Sequence, residues 1–243
     1  PDHIGPLEHE TFEEYAYWKS VMFEHCDTAI MNFDDEAYSI MKENCKCKVV
    51  SYGLDTDYDI SAKNVAPVRN RRTLGISFDC TVFGEDLKIT APVPGTFNAY
   101  NILAALGAAE ALGADISKAA EALQNIKISG RAEPVSIDAD FDVIIDYAHN
   151  GLSLKSIIET LYAYKTGKII CVFGSVGGRT YERRKEMGLV AGSMCELSVI
   201  TSDNPDFEEP ENIVKEIAAS EKAQVIPISC AIEYELSALP KEE

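Results

Sequence analysis

The fold class of this chain is clearest in residues 141–174, FDVIIDYAHNGLSLKSIIETLYAYKTGKIICVFG. Two apolar runs of strand length, Phe141 to Ile145 and Lys168 to Phe173, predict β-strands. The segment between them, Ser153 to Tyr164, predicts a helix. A strand, a helix and a second strand in this order indicate two parallel strands joined by a helical crossover.

The alternation of strands and helices continues towards the C-terminus. We predict a helix over 182–193, a strand at Leu197 to Thr201, a helix over 210–220, a strand at Val225 to Ile228 and a further helix from Ala231. Such alternation implies the α/β class, with a Rossmann-like, mostly parallel sheet and helices on both faces. Ligands of these sheets bind at the carboxyl ends of the strands. In this sequence those ends carry Asp146, His149, Gly174 to Arg179, Asp203 and Asn204.

The first half of the chain mixes short strands with helices. A helix is predicted over 9–24, and Thr11 is the candidate for its N-cap. Strands are predicted at Ala29 to Asn32 and at Val49 to Tyr52, on either side of a helix over 35–43.

From about 58 to 93 the pattern changes to alternating apolar residues, which is typical of an antiparallel hairpin. One face of this hairpin carries Ile76, Phe78, Cys80 and Val82. Two alanine-rich helices are predicted next, Asn98 to Leu112, which Gly113 ends, and Ile116 to Ile126. We place the domain boundary after them, near 127–130, with domains at 1–127 and 128–243.

Composition limits the classes of function. The 243 residues, 46% of them hydrophobic, suit one or two globular domains. A formal net charge of -18 argues against nucleic-acid binding, because an acidic surface repels phosphates. No apolar run approaches the roughly 20 residues needed to cross a bilayer, so we expect no membrane association. Seven scattered cysteines indicate reduced thiols in a cytoplasmic protein, and the spacing of Cys45 and Cys47 is not that of a zinc knuckle.

Several polar residues have the chemistry of a nucleotide or metal site, although each also has an ordinary structural explanation. His3 can bind a metal through neutral imidazole or be a solvated terminal residue, and Lys19 can be a plain surface lysine. Asn98 and Asn101 carry carboxamides that suit the edge of adenine, but Asn98 can also cap the helix that follows.

A second group of polar residues begins at the predicted domain junction. Arg131, in Gly130-Arg131-Ala132-Glu133, can neutralise charge on a phosphoryl group or form a hinge salt bridge. Asp146 follows an apolar strand, as a ribose-binding carboxylate would, and His149 can contact phosphates, but turn chemistry at a strand end explains both as well. The Gly-rich turn Gly174–Arg179 follows a strand without matching G-x-G-x-x-G.

Taken together, these motifs resemble those of the Mur ligases, and within them the UDP-N-acetylmuramoyl-tripeptide synthetases. The resemblance depends on their order along the chain: Asp2-His3, Lys19, Gly95-Thr96-Phe97-Asn98-Ala99-Tyr100-Asn101, Gly130-Arg131-Ala132-Glu133, Asp146-Tyr147-Ala148-His149 and Asp203-Asn204-Pro205. It implies the rear part of a Mur ligase central ATPase domain, followed by most of the Rossmann-like C-terminal domain.

The resemblance also implies a role for each candidate residue. His3 and Lys19 would bind the second Mg²⁺, Lys19 after its amine takes up CO₂ to become a carbamate, an oxygen ligand that suits this ion. ATP binding would fall to Asn98, Asn101, Arg131, Asp146 and His149, with Arg131 and Lys19 also catalytic. Arg179 would face the incoming amino acid, and Arg184 and Met187 also fit that segment, while Thr180 departs from its usual aspartate.

The segment Asp203-Asn204-Pro205-Asp206 resembles the family's selectivity motif for the added amino acid. In relatives that add meso-diaminopimelate, the fourth position is an arginine that pairs with the distal carboxylate. Asp206 has the opposite charge, so it would repel a carboxylate and attract an ammonium group. We therefore predict that Asp203, Asn204 and Asp206 bind the amino acid, with L-lysine favoured.

The implied enzyme is an ATP- and Mg²⁺-dependent ligase that joins an amino acid to UDP-N-acetylmuramoyl-L-alanyl-D-glutamate. ATP would phosphorylate the substrate carboxylate, the amino group would attack the acyl phosphate, and phosphate would leave. Domain closure around 127–130 would exclude water from the acyl phosphate. The alternatives are another ligase of the superfamily, such as a folylpolyglutamate-synthetase-like enzyme, and a non-catalytic binding module.

Parts that such an enzyme needs are not found in the 243 residues. They contain no G-x-x-x-x-G-K-[ST] phosphate loop, which the resemblance places upstream together with the domain that holds the UDP sugar. The family's late Gly-Lys-Gly-His-Glu segment is also absent, and the first residue is Pro1 rather than Met. We therefore expect a fragment of a longer enzyme, inactive by itself.

Overall fold

The computed structural model describes residues 9–70, 73–135, 137–178 and 181–221. The chain divides into two compact units, Pro1–Ser129 with Ser136–Asp142 and Gly130–Val135 with Val143–Glu243. Functional domains at 1–127 and 128–243 stay a prediction.

The first unit combines a mixed sheet with helices. Its described elements are α1 (Phe12–Ser20) with a 3₁₀ turn (Val21–Glu24), β1 (Thr28–Asn32), α2 (Tyr38–Glu43), β2 (Lys48–Leu54), β3 (Ile60–Asn70), β4 (Thr73–Val82), β5 (Glu85–Ala91), α3 (Thr96–Ala111) and α4 (Ile116–Ala122) with a 3₁₀ turn (Leu123–Asn125).

The sheet of the first unit has the strand order β1–β2–β3–β4–β5. The first three strands run parallel, whereas β4 and β5 form the predicted antiparallel hairpin. The predicted apolar face of β4 is confirmed, since all four of its residues are buried in one core with the inner face of α3. That core includes Ile76, Phe78, Cys80 and Val82 from β4 and Ile102, Leu103 and Leu106 from α3.

Local chemistry sets the ends of two helices as the sequence predicts. Thr11 caps α1, because its Oγ1 accepts a hydrogen bond from the backbone N–H of Glu14 at 3.1 Å. Gly113 ends α3 with a left-handed φ of 74°, and the N–H groups of Gly113 and Ala114 bond back to the last turn of the helix. The α-helical part of α1 is shorter than predicted, because its last residues tighten into the 3₁₀ turn.

The second unit alternates strands and helices. Its described elements are β6 (Glu133–Val135), β7 (Val143–Ile145), α5 (Gly151–Tyr162), β8 (Ile170–Phe173), α6 (Tyr181–Met194), β9 (Leu197–Ile200) and α7 (Pro210–Glu221). The predicted strand at 225–228 and the helix from 231 lie outside the described residues.

The strands of the second unit pair in two ways. β8 and β9 are parallel, with Ile170 opposite Leu197, as a crossover through α6 requires. β7 forms its ladder with β6, antiparallel, a pairing that the sequence did not predict because three-residue strands have too little periodicity. The α/β class is confirmed. Among the described residues, no helix has the length and apolar character needed to span a membrane.

Candidate functional site

Asp146 brings two of the sequence motifs together at the end of β7. Its Oδ2 accepts a hydrogen bond from the backbone N–H of Ala132 at 2.8 Å, and its Oδ1 accepts one from the N–H of Ala148 at 2.8 Å. Ala132 is buried and has a left-handed φ of 45°, a conformation that this carboxylate helps to hold. The segments 130–133 and 146–149 therefore form one structure.

Arg131 extends from this structure into solvent. Its guanidinium lies over the exposed ring of Tyr147, with Cζ 5.2 Å from the ring centroid. Within the same turn, a carboxylate oxygen of Glu133 accepts a hydrogen bond from the backbone N–H of Gly130 at 2.8 Å. Within the described residues no carboxylate pairs with Arg131, so the hinge salt bridge is not formed there.

His149 lies just before α5 and is exposed. Its Nδ1 is 3.0 Å from the carbonyl oxygen of Tyr147, and its backbone N–H donates to Ser153 Oγ at 3.2 Å. Asn150 caps the helix in a reciprocal capping box with Ser153. The segment therefore has the local hydrogen bonds of a turn at a strand end. The imidazole also lies at the positive end of a 12-residue helix.

A second cluster forms at the carboxyl ends of β8 and β9. These strands are parallel, so the loops that follow them start side by side, and Thr201 N–H donates to the carbonyl of Phe173 at 2.9 Å. Gly177 N–H donates to the carbonyl of Asn204 at 2.8 Å. The approach is so close that a Cβ on Gly177 would lie 1.8 Å from the carbonyl oxygen of Pro205. The Gly-rich turn and the Asp203–Asp206 segment therefore meet.

Asp203, Asn204 and Asp206 are all exposed at this cluster. Asp203 Oδ1 accepts the N–H of Asn204 at 2.8 Å, and Asn204 Oδ1 accepts the N–H of Asp206 at 3.3 Å. Asp206 has a left-handed φ of 55°, and its carboxylate lies against Gly178, where a Cβ would be 2.8 Å from Oδ2. The predicted Arg179 is outside the described residues.

A buried arginine, Arg184, is connected to the Gly-rich turn through Glu208. Arg184 on α6 is 1% exposed, and its guanidinium donates to Glu208 at 2.9 and 2.8 Å and to Glu216 at 2.6 Å. Glu208 also accepts the N–H of Gly178 at 2.7 Å. The pKa of Glu208 is lowered mainly by the Arg184 guanidinium and, to a smaller extent, by the Gly178 N–H. The carboxylates of Glu208 and Glu216 in turn raise the pKa of Arg184.

The sequence did not predict this network, because an arginine on a helix and a glutamate in an acidic stretch are most often solvated. The Glu208 side chain is only 23% exposed. The signal that could have revealed it was an arginine in the first turn of α6 on the same face as Met187, three residues further on. A shallow cleft of about 570 Å³ adjoins the network and is lined by Tyr181, Phe207, Glu208, Glu209, Asn212, Lys215 and Glu216.

The predicted adenine-binding asparagines lie together on α3 of the first unit. Asn98 is 4% exposed; its Nδ2 donates to the carbonyl of Pro94 at 2.7 Å and its Oδ1 accepts from Asn101 Nδ2 at 3.1 Å. Asn101 is exposed. The alternative that Asn98 caps the helix is wrong, because the N-cap is Gly95 and Asn98 lies in the first turn.

Lys19 stands near the end of α1 with its side chain exposed, its Nζ 4.8 Å from the ring centroid of Tyr15. The ring of His9 packs on the same tyrosine at 5.4 Å. His3 lies outside the described residues. In the part of the chain that the structure describes, no group of three or more His, Cys, Asp or Glu side chains could hold a metal ion.

Two family models match the chain. The model of the Mur ligase middle domain matches residues 1–109, and the model of the Mur ligase glutamate ligase domain matches residues 130–241. Both are domains of one enzyme family, and they match in the order found there. The chain belongs to the Mur ligase family.

Two curated relatives are similar to this chain along most of its length. The chain is 36% identical over 242 residues to the UDP-N-acetylmuramoyl-L-alanyl-D-glutamate--2,6-diaminopimelate ligase of Caldanaerobacter subterraneus subsp. tengcongensis, covering 97% of this chain and 49% of that protein. It is 34% identical over 222 residues to the UDP-N-acetylmuramoyl-L-alanyl-D-glutamate--L-lysine ligase of Streptococcus pneumoniae serotype 2, covering 90% and 44%. The chain spans about half the length of the curated relatives it matches.

A solved structure shares the fold. The Mycobacterium tuberculosis folylpolyglutamate synthase complexed with ADP matches 98% of this chain and 54% of its own chain, with a TM-score of 0.75 and 16% sequence identity. At this identity the likeness concerns the fold alone.

Proposed function

We propose that this chain forms the ATP-binding and amino-acid-binding parts of a cytoplasmic tripeptide synthetase in peptidoglycan synthesis. The complete enzyme would add an amino acid to UDP-N-acetylmuramoyl-L-alanyl-D-glutamate through an acyl phosphate. The observation that carries this proposal is the meeting of the Gly-rich turn with Asp203–Asp206 at the carboxyl ends of β8 and β9. Ligands of parallel sheets bind at such ends. The names of the two curated relatives also contain this precursor as their substrate.

Asn101 is the proposed adenine contact. It is exposed and its amide is held by Asn98, whose own polar atoms are both used inside the protein. A carboxamide fixed in this way can offer its remaining donor and acceptor to the edge of a purine. Asn98 then acts by orienting Asn101.

Arg131, Asp146 and His149 are proposed to bind the ribose and phosphates. Each carboxylate oxygen of Asp146 accepts one backbone N–H and keeps acceptor capacity for a ribose hydroxyl. The Arg131 guanidinium, stacked on Tyr147 and exposed, has donors for the transferred phosphoryl group. An arginine supplied in this way stabilises the charge of the transition state.

The charges around the Gly-rich turn support a cationic amino acid. Asp206 is exposed, and among the described residues no cation pairs with it. Arg184 beneath the turn is already paired with Glu208 and Glu216, so it cannot serve as the partner of a second substrate carboxylate. An ammonium group is favoured beside an exposed carboxylate, so L-lysine is the proposed substrate over meso-diaminopimelate.

Lys19 is proposed to become a carbamate and to bind Mg²⁺ together with His3. Its amine is exposed to dissolved CO₂ and lies over the ring of Tyr15. A carbamate supplies oxygen ligands, which Mg²⁺ prefers. The ion would neutralise charge on the phosphates of ATP.

Phosphate release by the complete enzyme tests this function. We expect release to require ATP, Mg²⁺, UDP-N-acetylmuramoyl-L-alanyl-D-glutamate and an amino acid together. The 243-residue chain alone, which has no phosphate loop, should release none. Amino-acid-dependent release by this chain alone would contradict its inactivity.

A second candidate is glutamate addition to folate, favoured by the fold shared with folylpolyglutamate synthase. The same assay with a reduced folate and glutamate separates the two functions. Turnover with folate and none with the UDP-dipeptide would overturn the first candidate and establish the second.

A further inference from the structure

Three cysteines of the first unit lie together at the start of the parallel strands β1 and β2. Cys26 Sγ and Cys47 Sγ are 3.3 Å apart, and Cys45 Sγ is also 3.3 Å from Cys47 Sγ. All three side chains are half-buried. We call this group the thiol cluster, and Cys47 is the member that contacts both of the others.

The backbone ladder explains why these residues meet. Thr28 is opposite Lys48 in the first pair of the β1–β2 register, and Lys48 N–H donates to the carbonyl of Asp27 at 3.3 Å. Cys26 directly precedes Asp27, and Cys47 directly precedes Lys48. Strand pairing therefore brings the backbones of both cysteines to the same end of the ladder, where their Sγ atoms are in contact.

The environment of the cluster differs from that of an inert core cysteine. Cys80 is 2% exposed, and burial raises the pKa of its thiol to about 12. Burial and then the contact with Cys47 also raise the pKa of Cys45. Cys26 and Cys47 are half-buried, so a small oxidant can reach them. The Sγ atoms of these two residues are in contact, so the two thiols can react with each other.

We propose that Cys26 and Cys47 form a reversible disulfide on exposure to a peroxide. One thiol attacks a peroxide oxygen, which gives a sulfenic acid and releases one water. The second thiol attacks the sulfenic sulfur, which forms the S–S bond and releases a second water. In sum, two thiols lose two electrons and two protons, and hydrogen peroxide is reduced to two waters. A dithiol reductant reverses the reaction by exchange.

The position of the bond favours Cys26 over Cys45 as the partner of Cys47. A Cys26–Cys47 bond closes a long loop that contains β1 and α2. A Cys45–Cys47 bond would close a tight ring over one intervening residue, and a strained bond of this kind is easily reduced. Cys45 can attack the disulfide by exchange but should not remain bonded.

Peptide mapping of the full chain tests the proposal directly. The native protein is treated with hydrogen peroxide, its remaining thiols are alkylated, and it is digested with trypsin. Cleavage after Lys19, Lys42, Lys46 and Lys48 separates all three thiols, placing Cys26 in peptide 20–42, Cys45 in 43–46 and Cys47 in 47–48. We expect a linked 20–42/47–48 species that disappears with dithiothreitol, and the loss of two free thiols.

Substitutions distinguish the members of the cluster. Cys45→Ser and Cys80→Ser should retain the linked species, whereas Cys47→Ser and Cys26→Ala should abolish it in chains whose circular dichroism matches the unsubstituted protein. A dominant 43–46/47–48 species would overturn the proposal. So would peroxide treatment that leaves Cys26 and Cys47 alkylatable in the unsubstituted chain, a result that does not depend on any variant folding.

Discussion

Arg184 and Glu208 meet through two hydrogen bonds, from Nη1 to Oε2 at 2.9 Å and from Nη2 to Oε1 at 2.8 Å. Such a bidentate pair fixes the orientation of both groups. Glu208 also accepts the N–H of Gly178, and Arg184 donates to the carbonyl of Val176 at 3.4 Å. The pair therefore holds both sides of the Gly-rich turn that meets the proposed selectivity segment.

Removing Arg184 should destabilise the protein strongly. Arg184→Ala leaves two carboxylates next to each other without their cation, and loss of one partner of a buried ion pair costs about 3 kcal/mol. Urea unfolding followed by circular dichroism measures this change. Lys185→Ala, at the exposed neighbouring position, should stay within about 0.5 kcal/mol of the unsubstituted chain. Equal effects of the two substitutions would contradict a structural role for the pair.

The stability that Glu208 contributes should depend on pH. Its pKa is lower in the folded state, so the folded protein holds this proton less tightly than the unfolded chain. The contribution is therefore complete above the ordinary glutamate pKa of about 4.3 and is lost as pH falls through the folded value. The difference in unfolding free energy between the unsubstituted chain and Glu208→Gln should shrink below that pH.

The control for this pH effect is Glu209→Gln, which alters an exposed neighbour. Its difference from the unsubstituted chain should stay small across the same pH range. A difference for Glu208→Gln that is constant between neutral pH and about 3 would refute the assigned pKa direction.

The close approach of the two loops makes Gly177 intolerant of a side chain. Gly177→Ala would place Cβ 1.8 Å from the Pro205 carbonyl oxygen, so the backbone must move. We expect a loss of about 2 kcal/mol in unfolding free energy and a loss of amino-acid-dependent turnover in the complete enzyme. Gly167→Ala is the matched control, because a Cβ there meets nothing within 4 Å. If Gly177→Ala keeps full turnover, these loops do not form the amino-acid site.

Substitutions of the two asparagines on α3 should differ in their effects on protein stability and on nucleotide binding. Asn98→Ala leaves a buried carbonyl of Pro94 without its donor and should cost about 1–3 kcal/mol of stability. Asn101→Ala removes only the donor to Asn98 Oδ1, so it should cost less stability than Asn98→Ala. It should weaken ATP binding to the complete enzyme about tenfold, which corresponds to about 1.4 kcal/mol. Calorimetric titration with ATP measures the second effect. Unchanged ATP affinity in Asn101→Ala would exclude the adenine contact.

Strong periodicity made most of the fold predictable. The alternation in β4 identified its buried face, and the polar cap of α1 and the glycine after α3 identified helix ends. The parallel pair β8–β9 followed from strand–helix–strand order. The β6–β7 ladder did not, because each of its strands has only three residues and too little periodicity to predict a pairing.

The candidate site was predictable where function requires particular residue types in short motifs. Asp146 and the Asp203–Asp206 segment stood out for this reason. The roles of Arg184 and Glu208 did not, since an arginine on a helix and a glutamate in an acidic loop are most often solvated. The fold brings them together, because Glu208 lies in the loop just before α7 and α7 packs in one core with α6.

The most direct test of this account is phosphate release by the complete enzyme, with ATP, Mg²⁺ and the UDP-dipeptide, comparing L-lysine with meso-diaminopimelate. The account predicts turnover with L-lysine and little with meso-diaminopimelate, and a reversed preference in Asp206→Arg, which restores the charge that pairs with a distal carboxylate. Greater turnover with meso-diaminopimelate in the unsubstituted enzyme would contradict the proposed role of Asp206.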